Sequence, residues 1–375
     1  GDMWKRHASP ADRRDRSTVA TTAMMLAVAL MGTLTVAGCG NSDAPTGDDT
    51  PDPPEPPSLA DPPPDGGAAV ATITAADLAT RVGIIADDSM MGRWTPSPGL
   101  LKTAGYLASE LDRMGLQPDG TDERNECDTR GIADEHCPYV QWFFAAQEDT
   151  LRTLNVIARL PGSDPGLGGE YLVIGAHFDH VGIRTPVDGD SIYNGADDNG
   201  SGTSAVLELA EAFASLATPP SRSIIFVLFS GEERGLLGSR YYAGSQEAPI
   251  GQVVSMINLD MVGRNWTDTV AAVYQLDSDI FERADRVADA HPELNMNLLT
   301  DPWPGENLVN RSDQAPFIPY GVPVLFLTSG LHEDYHQATD EADRLDYEKT
   351  ARLTRLIFWI GWEFAEATEP PGFYP

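Results

Sequence analysis

The apolar positions of this chain change period along its length. From Ala75 to Ile85 and from Gly99 to Met114 they recur every three or four residues, which predicts two amphipathic helices, the second stopped by Gly115. Tyr139–Ala145 and Thr153–Arg159 read as short strands. Tyr171–Ala176 (YLVIGA) is a continuous apolar run of the kind found in a strand buried on both faces. The alternation then repeats: helix Thr203–Leu216, strand Ser223–Phe229, short helix Leu236–Ala243, strand Val253–Leu259, helix Ile280–Ala290, strand Val322–Leu327 and a closing helix Asp346–Ala367. Strands alternating with helices predict an α/β fold, a single domain whose mixed, largely parallel central sheet is covered by helices on both faces. In such sheets ligands bind outside the carboxyl ends of the strands.

The region before this pattern is different. Residues 1–18 carry Lys5, Arg6, Arg13, Arg14 and Arg16, and an Ala-rich apolar run extends from Val19 to Val36 before Ala37-Gly38-Cys39. A basic flank, a short apolar stretch and small residues at its end mark a secretory signal rather than a spanning helix. A cysteine directly after the small residues resembles a bacterial lipoprotein signal. Residues 1–38 are therefore expected to be removed and Cys39 to carry the lipid, which is the only membrane attachment expected for this extracytoplasmic protein. Residues 39–70 are rich in Pro and Asp with few apolar side chains, and read as an extended tether. The folded domain is expected at 71–368, with 369–375 as a tail.

Composition narrows the partners. The chain has 57 acidic and 25 basic residues, a net charge of −32, and so lacks the basic face that a nucleic-acid partner requires. Its three cysteines are too few for a disulfide scaffold or a cysteine metal site. Cys127 and Cys137 are spaced for a local disulfide in an oxidising compartment. They close a polar insertion, Asp122–Cys137, to which no function is assigned.

Chemistry-bearing residues cluster where the strands end. His177-Phe178-Asp179 follows YLVIGA, and Asp197-Asp198-Asn199-Gly200 enters the helix after it. Glu232-Glu233 follows SIIFVLF by two residues, Asp260 follows VVSMINL, and Tyr335-His336 lies beyond the last strand. Two histidines and three carboxylates without cysteine suit a divalent metal, with zinc in a catalytic site the best fit. A two-metal site needs one bridging carboxylate and two further ligands for each metal. It also needs a carboxylate outside the ligand set to accept the proton of the attacking water.

The motifs AHFDHVG, GADDNGSG, SGEERGLLGSRYY, NLDMVG and YHQATD, in this order over roughly residues 75–368, resemble the bacterial leucyl aminopeptidase and aminopeptidase S family of co-catalytic di-zinc exopeptidases. That family also contains glutamate carboxypeptidases and glutaminyl cyclases. The resemblance implies two zinc ions per chain, with His177 and Asp260 on one, Glu233 and His336 on the other, and Asp198 bridging. It implies Glu232 as general base acting on a zinc-bound water, Tyr335 as oxyanion donor, and Asp179 as the acceptor that orients His177. The expected activity is a metallo-aminopeptidase acting on peptides. Rival readings are a glutamate-carboxypeptidase-like peptidase, a single-zinc glutaminyl cyclase and an inactive binding module; the complete ligand set with Glu232 argues against the last. Asp197 is expected to be structural, His180 and His332 to line the pocket wall, and His291 to lie on the surface, with His136 inside the cysteine loop. Many relatives carry His where this chain has Gln314, which leaves Gln314 without an assigned role.

Overall fold

The computed structural model describes residues 58–374 apart from 122–126, 128–129, 146–150 and 247. The expected signal peptide, Cys39 and most of the expected tether therefore lie outside the described residues. The described helices are α1 (Gly66–Thr72), α2 (Ala75–Ile85), α3 (Pro98–Arg113), α4 (Gly202–Ala214), α5 (Leu237–Gly244), α6 (Ile280–Ala290) and α7 (Tyr347–Glu366). The strands are β1 (Gln117–Pro118), β2 (Val140–Phe144), β3 (Arg152–Leu160), β4 (Tyr171–His177), β5 (Gly182–Val187), β6 (Asp190–Tyr193), β7 (Ser223–Phe229), β8 (Val253–Leu259), β9 (Thr269–Tyr274), β10 (Asn297–Thr300) and β11 (Val324–Thr328).

Local chemistry sets the helix ends. Thr74 caps α2 by accepting the N–H of Asp77, Ser97 caps α3 by accepting that of Leu100 with Pro98 at the first turn, and Asp346 caps α7 by accepting that of Lys349. Helix α2 turns Leu78, Val82 and Ile85 inward at the spacing of one helical face.

Nine strands form one sheet in the order β1-β3-β7-β4-β8-β11-β9-β10, with β2 also on β3, while β5 and β6 form a separate hairpin. The centre is parallel, β7 and β8 flanking β4 and β11 beside β8. The margins reverse, since β3 runs antiparallel to β7 and β9 antiparallel to β11. The continuous apolar runs explain the two-sided burial. Leu172, Ile174, Ala176, Ile224, Phe226 and Leu228 face one core, under α2, α3, α4 and α7. Their alternates Val173, Ile225, Val227 and Phe229 face a second core with Tyr242 and Phe317. With both faces filled by side chains, a ligand is left only the strand ends.

The domain is longer at both ends than composition suggests. Leu59 and Ala60 pack on the main core, and the Trp362 indole N–H donates to the Asp61 carbonyl at 2.9 Å. Helix α1 lies so close to α7 that a Cβ on Gly66 would stand 2.7 Å from the Trp359 ring, so only glycine fits. The expected tether thus belongs to the fold from residue 59. At the other end, Phe373 pairs with Ser278 and the Tyr374 N–H donates to the Asp277 carbonyl at 2.8 Å, so 372–374 is docked rather than a free tail.

Cys127 and Cys137 are disulfide-bonded and fully buried against the main core. The loop they close is short, for which chain entropy predicts about 2–3 kcal/mol of stabilisation. Reduction should lower the unfolding temperature without releasing metal, since no candidate ligand lies between residues 127 and 137. Mass analysis of the non-reduced protein should find the bridge; two free thiols at these positions would contradict it.

Candidate active site

The parallel strands β4, β7, β8 and β11 present their carboxyl ends along one edge, and the expected residues converge there. His177 is the last residue of β4, and Asp260 directly follows β8, donating its N–H to the Leu327 carbonyl at 3.2 Å. After β7 the chain reverses through Gly231, at φ 75°, into the short turn Glu232–Arg234. A Cβ on Gly231 would meet Leu237 at 2.9 Å, so glycine is required both by conformation and by space. His336 lies in the loop after β11 with φ 55°, a left-handed conformation uncommon outside glycine. Asp198 lies at the entry to α4, next to a cis peptide bond with Asn199. The N–H groups of Asp197 and Asp198 both donate to the carboxylate of Asp340, at 2.9 and 3.0 Å.

The two oxygens of Asp198 serve two donor groups. His177 Nε2 lies 3.5 Å from Asp198 Oδ1 and 3.3 Å from Asp260 Oδ1. His336 Nε2 lies 3.1 Å from both Asp198 Oδ2 and Glu233 Oε1. These spacings match the edge of a tetrahedron around zinc, which is about 3.3–3.4 Å for bonds of about 2.0–2.1 Å. Asp198 Oδ2 and Asp260 Oδ1 are also buried without a hydrogen-bond partner, although each stands close to an imidazole nitrogen. Acceptors aimed at one another's neighbourhood without bonding share a direction toward a common cation. Imidazole and carboxylate donors without cysteine suit zinc, so the residues fit the metal.

His180 departs from expectation. Rather than lining a wall, its buried ring places Nδ1 3.2 Å from Glu233 Oε1 and 3.6 Å from Asp198 Oδ2. Donor atoms of His180, Asp198, Glu233 and His336 lie within 4.8 Å of one another, as do those of His177, Asp198 and Asp260.

The electrostatics show a site short of positive charge. Burial opposes protonation of His177 and His336, yet Asp260 raises His177 well above the ordinary imidazole value, and the Asp198 and Glu233 carboxylates, each 3.1 Å from its Nε2, raise His336 to about 10. Burial raises the carboxyl of Asp198, reinforced by Glu233. His180 behaves oppositely: burial pushes it down to about 3, keeping it neutral. Burial also holds Glu232 well above the ordinary carboxyl value against the pull of His177, with Asp260, Asp313 and Glu233 adding to the rise. A half-buried carboxylate so placed can take up a proton, as a general base must.

Supporting residues fix these groups. The expected bond from His177 to the Asp179 side chain is replaced: Nδ1 lies 3.1 Å from the Asp179 backbone carbonyl, and the carboxylate stands off at 3.7 Å. The carboxylate instead accepts the N–H of Glu232 and the hydroxyl of Thr95, both at 3.1 Å. Asp179 thus positions Glu232. Ser312 donates to Asp260 Oδ2 at 2.8 Å. Gln314 accepts from Asn258 and donates to the Leu308 and Val309 carbonyls, a structural role. His332 Nε2 lies 3.1 Å from Asp197, whose other oxygen accepts the Gly263 N–H. His291 lies stacked on Trp359, and His136 stands 3.7 Å from Asp112, both away from the donor groups. Tyr335 stacks on His336 with ring centres 3.9 Å apart, and burial together with Asp198 and Glu233 raises its hydroxyl, keeping it a donor.

Arg93 carried no sequence signal. Fully buried, it donates to the carbonyls of Ile85, Phe178, Asn194 and Gly195, joining the loops that hold His177 and Asp198. Burial lowers its guanidinium to about 10, so it remains charged beneath the acidic cluster.

Residues 155–360 match the family model of Peptidase family M28. The chain is 32% identical over 191 residues to leupeptin-inactivating enzyme 1 of Streptomyces exfoliatus, an overlap covering 51% of this chain and 38% of that protein. It is 28% identical over 213 residues to a probable leucine aminopeptidase of Arthroderma otae, covering 54% of this chain and 56% of that one. The chain thus spans less than two thirds of the length of either relative. Its fold is similar to that of the LapA aminopeptidase of Legionella pneumophila, with a TM-score of 0.62 at 21% identity over 81% of this chain and 74% of that one. The matched segment includes every candidate metal donor described above and more than half of the 375 residues, and by it the chain belongs to peptidase family M28.

Proposed function

We propose that this chain is a zinc-dependent aminopeptidase that removes N-terminal residues from peptides at a centre of two zinc ions. The observation that carries the reading is the divided use of Asp198, one oxygen in each donor group, with Glu232 beside them and outside both. Family membership supports peptide-bond hydrolysis, and the aminopeptidases among the relatives support action at the amino terminus. His177 and Asp260 would hold one zinc, Glu233 and His336 the other, and Asp198 both. Zinc bound there would polarise the scissile carbonyl and make the attacking water acidic enough to ionise near neutral pH. Glu232 takes the proton of that water and returns it to the leaving amine. Asp179 holds Glu232 in place through its backbone N–H, and the Tyr335 hydroxyl donates to the oxygen that gains charge as the carbonyl is attacked.

A panel of aminoacyl anilides, N-blocked dipeptides and Gln-initiated peptides tests the assignment. Cleavage of the anilides with free amino groups is expected. Turnover confined to blocked dipeptides would give a carboxypeptidase, and release of cyclised Gln a glutaminyl cyclase.

The reading extends to location: a lipid on Cys39 would hold the domain outside the cytoplasm. Cys39→Ser should release the protein from the membrane fraction or leave an unprocessed precursor. An unchanged membrane fraction would contradict the lipid anchor.

A further inference from the structure

We infer that His180 is itself a metal ligand, giving the Glu233–His336 site four protein donors and leaving the His177–Asp260 site with three. The inference rests on the two-zinc reading above and adds a ligand to it.

Geometry carries it. The donors of the first group are spaced 3.3–3.5 Å from His177 Nε2. In the second group the four close pairs are 3.1 Å twice from His336 Nε2, and 3.2 and 3.6 Å from His180 Nδ1. His180 Nδ1 therefore stands toward Glu233 and Asp198 much as His336 Nε2 does, at the spacing expected of ligands sharing one tetrahedral zinc. The two imidazoles are set edge to face, with ring centres 5.6 Å apart at 71°, so both present a nitrogen to the same carboxylates without stacking.

The ring is held in this pose from behind. A Cβ on Gly195 would fall 2.4 Å from His180 Cγ and 2.5 Å from Cδ2, so the ring lies against bare backbone and cannot swing that way. The His180 N–H donates to the Arg93 carbonyl at 3.3 Å, while the Arg93 side chain donates to the Gly195 carbonyl at 2.9 Å, clamping both walls of the slot. Nε2 is buried without a hydrogen-bond partner, so Nδ1 is the ring nitrogen that the pose turns toward other polar groups. The competing role for Nδ1 is to carry a proton and donate it to Glu233, as an orienting hydrogen bond rather than a ligand.

The two donor sets then divide the work. A zinc with four protein donors has a closed coordination sphere, whereas three protein donors leave a position open for water or substrate. Glu232 is tied to the open one: Asp179 accepts the Glu232 N–H through its carboxylate and meets His177 Nδ1 with its carbonyl, both at 3.1 Å. The exchangeable ligand position and the base would thus share one side of the centre, with the second zinc acting chiefly as a fixed charge.

Zinc-edge X-ray absorption on the zinc-loaded chain counts the imidazoles. Three shared over two zinc ions are expected, falling to two in His180→Ala, with one zinc bound at least tenfold more weakly and the other unchanged. Two imidazoles in the unaltered chain, with the same count in His180→Ala, would overturn the ligand role and leave the two-zinc reading standing. A chain that binds only one zinc would contradict the two-zinc reading instead, and loss of an imidazole in His180→Ala would still uphold His180. The count on the unaltered chain decides the matter even if the variant fails to fold.

Discussion

Glu232→Gln is expected to lower kcat by at least ~10²–10⁴-fold, the usual loss when a general base is removed, while zinc content and zinc affinity stay unchanged. The substitution preserves shape and leaves the backbone N–H on Asp179 Oδ1, so the turn that carries residues 232–234 has no reason to move. Glu232 contributes no atom to either donor group, whereas its neighbour Glu233 lies 3.1 Å from His336 Nε2. Only the ability to accept a proton is lost. Steady-state kinetics with parallel zinc analysis would check this; a variant that loses zinc would show that the roles of the two adjacent glutamates are exchanged.

Asp198→Asn should be the most damaging change at the centre, bringing activity to background and lowering zinc content by at least one ion per chain. An amide offers one oxygen where two are needed, and removes the negative charge shared by both donor groups. The effect on the metal-free fold should have the opposite sign. Burial and Glu233 raise the Asp198 carboxyl above its ordinary range, so the fold prefers the protonated acid. For an acid shifted upward, the favourable contribution is present below the unfolded value and is lost as pH rises through the folded one. Where Asp198 ionises in the metal-free protein, burial and Glu233 oppose its charge and His336, 3.1 Å away, partly offsets them; Asn carries no charge to oppose. Melting of the metal-free proteins at neutral pH should find Asp198→Asn no less stable than the unaltered chain; a marked drop would mean that Asp198 has a structural role apart from metal.

The strands β4, β7 and β8 were legible because each is a largely apolar run that ends in, or is followed within three residues by, an acid or histidine. Tyr171–His177, Ser223–Phe229 and Val253–Leu259 are buried along nearly their whole length, so a charge at their ends had to lie at the rim of a core. What escaped depends on contacts distant in the chain. Leu59, Ala60 and α1 look unable to fold by composition, and are held by Trp359 and Trp362, about three hundred residues away. Strand β10 is only four residues, too short for a period to show. Arg93 lies in a stretch without period and bonds only to carbonyls, which any residue supplies. His180 sits inside the AHFDHVG motif, but sequence could not say where a side chain points once the chain has left its strand. Asp179 does meet His177, through its backbone carbonyl and not its carboxylate, a choice of atom that sequence cannot make.

The central claim is a centre of two metals bridged by Asp198. Elemental analysis of the purified, fully active chain tests it most directly. Two zinc ions per chain are the predicted result, and one or none in a fully active preparation would contradict it.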